Sequence, residues 1–187
     1  MSSLTEDFER LSQLLQAPGS LSASTTDPIF YFVYPPEETF ELRRRLRAWE
    51  GQLATAGLTV LRISFSDLIW QTIDESGRWR EWLSSEPYFS TQEVNETIQA
   101  ALRDGGLLGK IEAAVGQPGL KTVIFFTDAE MLHPYFRVRI LESALHDRVK
   151  VPIVIFYPGR RAGQFGLKFL DLYPEDGNYR ATVVGSI

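Results

Sequence analysis

The sequence predicts an α/β fold of three layers, a mainly parallel sheet with helices on both faces. Two observations carry this. Apolar runs rich in β-branched and aromatic residues recur at 28–34, 123–126 and 151–157, the pattern of strands buried on both faces. Between them lie longer segments with apolar residues every three to four positions. Strands alternating with helices imply crossover connections and parallel pairing. The 187 residues, 44% hydrophobic and 23% charged, suit one domain over 1–187 with a sizeable core and leave a second domain short of length.

Taken in order, Leu4, Phe8, Leu11, Leu14 and Leu15 fall at helical spacing, so an amphipathic helix within 1–19 ends near Pro18-Gly19. Residues 20–27 are small and polar and read as a linker into the first strand, 28–34. From Glu37 a helix sets Leu42, Leu46, Trp49, Leu53 and Ala56 on one stripe, with Arg43, Arg44 and Arg47 largely off it and Gly57 as its stop. Residues 58–65 alternate as a second strand, after which Ser66-Asp67 cap a helix through about Ile73.

Residues 74–90 show poor periodicity. Residues 91–115 are helical with a break at Gly105-Gly106, and 116–119 form a turn. A third strand at 123–126 precedes a helix over 135–149 with Phe136, Ile140, Leu141, Ala144 and Leu145 inward. The fourth strand, 151–157, runs into a Pro158-Gly159 turn, and 168–172 and 179–184 supply one or two last strands.

Composition excludes several chemistries. There is no cysteine, so disulfides, thiol nucleophiles and thiolate metal sites are out. No basic-then-apolar signal opens the chain, and no apolar run approaches the roughly 20 residues that span a bilayer. The protein is expected to be cytoplasmic, without membrane contact. A net charge of −5 opposes general affinity for nucleic acid, which depends on clustered Lys and Arg.

A sheet of this kind invites nucleotide chemistry. A phosphate loop needs G-x-x-x-x-G-K-[ST] between a strand and a helix, so that backbone N–H groups and the lysine meet the phosphates. The nearest text, Gly105-Gly106-Leu107-Leu108-Gly109-Lys110-Ile111, is one residue short, lacks the hydroxyl and follows no strand. After the first strand, where such a loop belongs, stands Tyr34-Pro35-Pro36-Glu37-Glu38. Two prolines donate no N–H, and the carboxylates already occupy the positive end of the helix dipole. The segment reads as a helix start, in a P-loop-like arrangement lacking its phosphate-binding loop.

Asp128 and Glu130, after the strand at 123–126, echo the acidic pair that holds Mg²⁺ and orients water in nucleotide hydrolases. They also read as residues that turn a strand end. Parallel sheets place sites at their carboxyl ends, so these are the weak candidates for a strand-end site. His133 and His146 lack metal-ligand spacing, and no serine sits in G-x-S-x-G. The stretch 159–166, with Arg160 and Arg161 among glycines, could receive an anion but reads better as a flexible, solvated connection. No metal, catalytic residue or cofactor is assigned.

Two features suit a partner surface. Trp79, Arg80, Trp82, Tyr88 and Phe89 crowd one short segment, and Trp, Tyr and Arg are enriched at interface hot spots. The competing reading is that they plug one end of the core. Arg43, Arg44, Arg45 and Arg47 could meet an acidic partner or nucleic acid, although Glu37, Glu38, Glu41 and Glu50 in the same helix favour an ion-paired, solvated face.

The run Val154-Ile155-Phe156-Tyr157-Pro158-Gly159, then a glycine-rich connection, Phe169-Leu170-Asp171 and Asn178-Tyr179-Arg180-Ala181, resembles the C-terminal signature of BrxB, the small protein of BREX (bacteriophage exclusion) defence cassettes. The order of elements agrees over most of the chain. It runs from a strand entering Tyr34 and an Arg-rich helix, through a strand and Asp67-Leu68, to a strand leading into Pro134-Tyr135-Phe136-Arg137-Val138. BREX systems methylate host DNA and block phage propagation using a methyltransferase, a large ATPase and PglZ, an alkaline-phosphatase-like protein. The resemblance implies a non-enzymatic component that joins or regulates this assembly, with a PglZ-like protein as its first partner. Two alternatives stay open: a divergent nucleotide-binding or phosphoryl-transfer protein using Asp128 and Glu130, and a nucleic-acid-binding accessory using the Arg43 to Arg47 face.

Overall fold

Alternate side chains of the central strands point into two separate cores, which makes the sheet the middle of three layers. The computed structural model describes residues 3–17, 29–145, 148–163, 166–175 and 181–185. Its strands are β1 Ile29–Tyr34, β2 Thr59–Ser64, β3 Thr122–Thr127, β4 Ile153–Ala162, β5 Gly166–Phe169 and β6 Thr182–Val184. They lie in the order β2-β3-β4-β1-β6, all parallel, with β5 antiparallel on β4. The helices are α1 Leu4–Gln16, α2 Thr39–Thr55, α3 Phe65–Glu75, α4 Trp79–Ser85, α5 Thr91–Asp104, α6 Leu107–Val115 and α7 Val138–Leu145.

One core joins Phe32, Phe125 and Phe156 of the sheet to α1 and α2. Within it Phe8 of α1 stacks on Trp49 of α2 at 4.3 Å between ring centroids. The other joins Tyr31, Phe126 and Ile155 to α3, α5, α6 and α7. The odd and even positions of β1 therefore separate cleanly, as period-two geometry requires. β3 is buried at every position, while β2, at the sheet edge, is largely half-exposed.

Several boundaries differ from those the sequence predicts. Ser64, not Ser66, caps α3, its Oγ accepting from the Asp67 N–H at 3.2 Å. Phe65 thus joins the helix and stacks on Phe126 at 4.9 Å. Ala56 is exposed because α2 ends at Thr55 and Gly57 turns the chain with φ 83°. Leu14 is exposed on α1. α7 starts three residues later than expected, which turns Ile140 to solvent and makes Val138, Leu141 and Leu145 the buried stripe. Residues 79–85 are helical despite their poor periodicity.

The largest difference follows Tyr157. Pro158 and Gly159 are not a turn: β4 continues to Ala162 and exchanges partners there. Pro158 stands opposite Tyr34, the last residue of β1, and from Gly159 onward β4 pairs with β5. Residues 159–162 and 166 thus lie in paired antiparallel strands instead of a solvated connection. Leu170 and Asp171 follow β5 with φ of 53° and 59°, which ends the predicted strand at Phe169. The linker 20–27, Pro28, His146 and the run at 176–180 lie outside the described residues.

Candidate functional site

Parallel sheets present their sites beyond the carboxyl ends of the strands, and here two elements meet at that edge. β1 delivers Tyr34 into Pro35 and a single 3-10 turn, Pro36–Glu38, which leads straight into α2. β3 delivers Thr127 into Asp128, a left-handed residue at φ 62°, and a second 3-10 turn, Ala129–Leu132. Aspartate tolerates this conformation better than most residues.

Its carboxylate accepts from Ser64 Oγ at 2.7 Å and Thr127 Oγ1 at 2.9 Å, and pairs with Arg43 Nη2 at 2.8 Å. The same Arg43 nitrogen lies 2.7 Å from Glu130 Oε1. One guanidinium from the first turns of α2 thereby closes over both strand-end carboxylates. Burial pushes the Glu130 carboxyl up from its usual range, and the nearby Asp128 adds to this while Arg43 opposes it. Glu130 Oε2 has no hydrogen-bond partner among the described residues. Burial also pushes the Tyr34 phenol up, with the Glu130 charge reinforcing it.

The Arg43 guanidinium thus supplies the cation that faces both carboxylates. No three His, Cys, Asp or Glu side chains converge as a metal cage among the described residues. Sequence reasoning nominated Asp128 and Glu130 but set Arg43 on a solvated face. The usable signal was its place one turn into a helix that starts at the same sheet edge. Arg44 and Arg45 lie on the ion-paired face that the sequence predicts, both pairing with Glu41. Arg160 bridges Glu37 at 2.7 Å and Asp171 at 2.9 Å, and Arg161 donates to the Val183 carbonyl at 2.6 Å. His133 hydrogen-bonds Tyr173 beside a cleft of about 130 Å³ lined also by Phe136, Arg137 and Phe169.

The aromatic segment forms a second feature. Trp79 stacks on Trp70 at 5.8 Å, meets Trp82 edge-on at 5.9 Å, and donates its Nε1–H to Asp74 at 2.7 Å. Trp82 turns inward against the core beneath Arg78, and its buried Nε1 has no acceptor among the described residues. The plug reading therefore holds for Trp82 alone. Trp79 and Phe89 are exposed, Tyr88 is 86% exposed, and Arg80 faces solvent. Leu83, 63% exposed and missed in the sequence, stands one helical turn beyond Trp79. Trp79, Trp82, Leu83 and Phe89 face Val94 and Ile98 of α5 across a groove of about 140 Å³.

Fold and site together define a class: a three-layer α/β protein with a Pro-Pro turn after its first strand, its strand-end carboxylates held by an arginine, and an exposed aromatic face. The family model described as BREX protein BrxB matches residues 61–184. The chain belongs to the BrxB family and is thereby a component of a BREX phage-defence system. The matched span takes in the aromatic face, Asp128 and Glu130, but not Arg43. Comparison with curated proteins and with solved structures finds no match. No helix among the described residues is long and apolar enough to cross a membrane.

Proposed function

We propose that the protein is a non-enzymatic, protein-binding component of a cytoplasmic BREX complex. In this reading it supports host DNA methylation and phage restriction by holding a PglZ-like protein against the face formed by Trp79, Leu83, Tyr88 and Phe89. The observation that carries it is the exposure of these four large apolar side chains within one short segment. Soluble monomers rarely leave such patches contiguous unless something covers them, and Trp and Tyr dominate the centres of protein interfaces. Family membership supports a BREX component as the partner, and a PglZ-like protein is the one this reading names.

The closed sheet edge supports a role without catalysis. For Asp128 and Glu130 to take a metal–nucleotide, Arg43 would have to leave both carboxylates, and Pro35 and Pro36 offer no N–H groups to a phosphate. The test is co-purification from cells expressing the complete defence system. The tagged protein is expected to retain the PglZ-like component, and recovery without any BREX protein would contradict the proposal.

A further inference from the structure

We propose that the groove between α4 and α5 takes a basic amphipathic helix of the partner, an apolar anchor flanked by Lys or Arg. The proposal rests on the protein-binding reading above and adds the chemistry of what is bound. The walls of the groove are helical: Trp79, Trp82 and Leu83 come from α4, Phe89 from the turn after it, and Val94 and Ile98 from α5. No strand edge is offered there, so an occupant must satisfy its own backbone hydrogen bonds, which a helix does. The space, about 140 Å³, is that of a benzene-sized group, so one large aliphatic or aromatic anchor fills it.

Charge selects the flanks. Residues 74–104 hold seven acidic and three basic side chains, which is four of the five net negative charges of the whole chain. Two of the three arginines stand beside carboxylates: Arg78 against Glu81 at 3.0 Å, and Arg103 near Asp104 at 3.7 Å. Glu86 lines the groove, is exposed, and makes no ion pair among the described residues. An apolar groove lined by the carboxylate of Glu86, in a segment of net negative charge, disfavours phosphate backbones and anionic lipid surfaces. It attracts a segment that pairs an apolar anchor with cations.

The test titrates the full chain with two synthetic helices that share the same leucine anchors, one flanked by Lys and one by Glu, followed by tryptophan fluorescence. The Lys peptide is expected to bind, to weaken as salt rises, and to weaken about fivefold in Glu86→Lys. Leu83→Asp should abolish binding while the melting temperature holds. Preference for the Glu peptide, binding by neither peptide, or binding that both variants leave unchanged overturns the inference. Capture experiments separate the two levels. If no BREX protein is retained, the protein-binding reading fails whatever the peptides do. If a partner is retained with undiminished strength by Glu86→Lys, only the basic helix is refuted.

Discussion

The guanidinium of Arg43 lies 2.8 Å from a carboxylate oxygen of Asp128, tying the start of α2 to the end of β3 across the carboxyl edge of the sheet. Without it, Asp128 and Glu130 would share a partly buried site with no cation between them. Arg43→Ala is therefore expected to cost about 1–3 kcal/mol in stability, read by chemical denaturation. Because Arg43 is itself partly exposed, the lower half of that range applies. An unchanged midpoint would mean that solvent already screens the pair.

Glu130 makes this site pH-dependent, with a definite sign. Burial raises its folded carboxyl above the unfolded value, so the folded state holds the proton more tightly. This contribution favours folding at low pH and is lost as pH rises through the folded value. Glu130→Gln removes the titration. Relative to wild type, the variant should gain stability as pH is raised from about 4.5, the unfolded value, towards neutrality. Paired denaturation curves at several pH values check this, and a difference that stays constant or moves the other way would contradict it.

Leu83 and Trp82 should separate cleanly. Leu83 is 63% exposed, so Leu83→Ala should change stability by no more than about 0.5 kcal/mol. Trp82 packs on the core, and Trp82→Ala should cost about 2–3 kcal/mol, below the range for a fully buried tryptophan. Thermal melts of the two variants decide the matter. Equal effects would show that α4 does not lie as described.

Gly159 tests the partner exchange in β4. A Cβ there would stand 2.2 Å from the Lys168 carbonyl oxygen and 2.9 Å from Tyr157 Cε1, so Gly159→Ala must push β5 away. A loss of about 2 kcal/mol or more is expected. A neutral substitution would favour the turn that the sequence predicts.

The long apolar strands and their alternation with helices were legible because burial on both faces leaves a continuous apolar signature. Ile153 to Tyr157 shows it plainly. Pro158 and Gly159 misled because a proline-glycine pair reads as a turn, whereas here it marks where β1 ends and β5 takes over as partner. The site was half legible. Asp128 and Glu130 are local to a strand end, but their partner Arg43 is distant in sequence and joined only by the fold. Tyr88 and Phe89 stood under two readings, partner surface or core plug, and it is their exposure in the fold that removes the plug for them. Leu83 was not, since its exposure depends on α4 forming in a segment without clear periodicity.

Nucleotide and DNA binding provide two further checks. Calorimetry with ATP and Mg²⁺ should show no binding up to about 1 mM, the weak end of measurable affinity. Pro35 and Pro36 carry no N–H for a phosphate, and Arg43 holds the carboxylates. DNA should not bind more tightly than about 10 μM at physiological salt, because Arg43, Arg44 and Arg45 are paired within the fold. ATP binding lost in Asp128→Ala would favour the phosphoryl-transfer alternative. Salt-sensitive DNA binding lost on replacing Arg43, Arg44 and Arg47 would favour the nucleic-acid one.

The most direct measurement of the central claim combines capture and melting on Leu83→Asp and Trp79→Ala in cells carrying the complete BREX system. Truncating an aromatic residue at the centre of an interface costs about 2 kcal/mol or more, about thirty-fold in affinity. Both variants should therefore lose the PglZ-like protein that the wild type retains, while Leu83→Asp melts within a few degrees of wild type. Retention of that partner by both folded variants, or its absence from the wild type, would contradict the account.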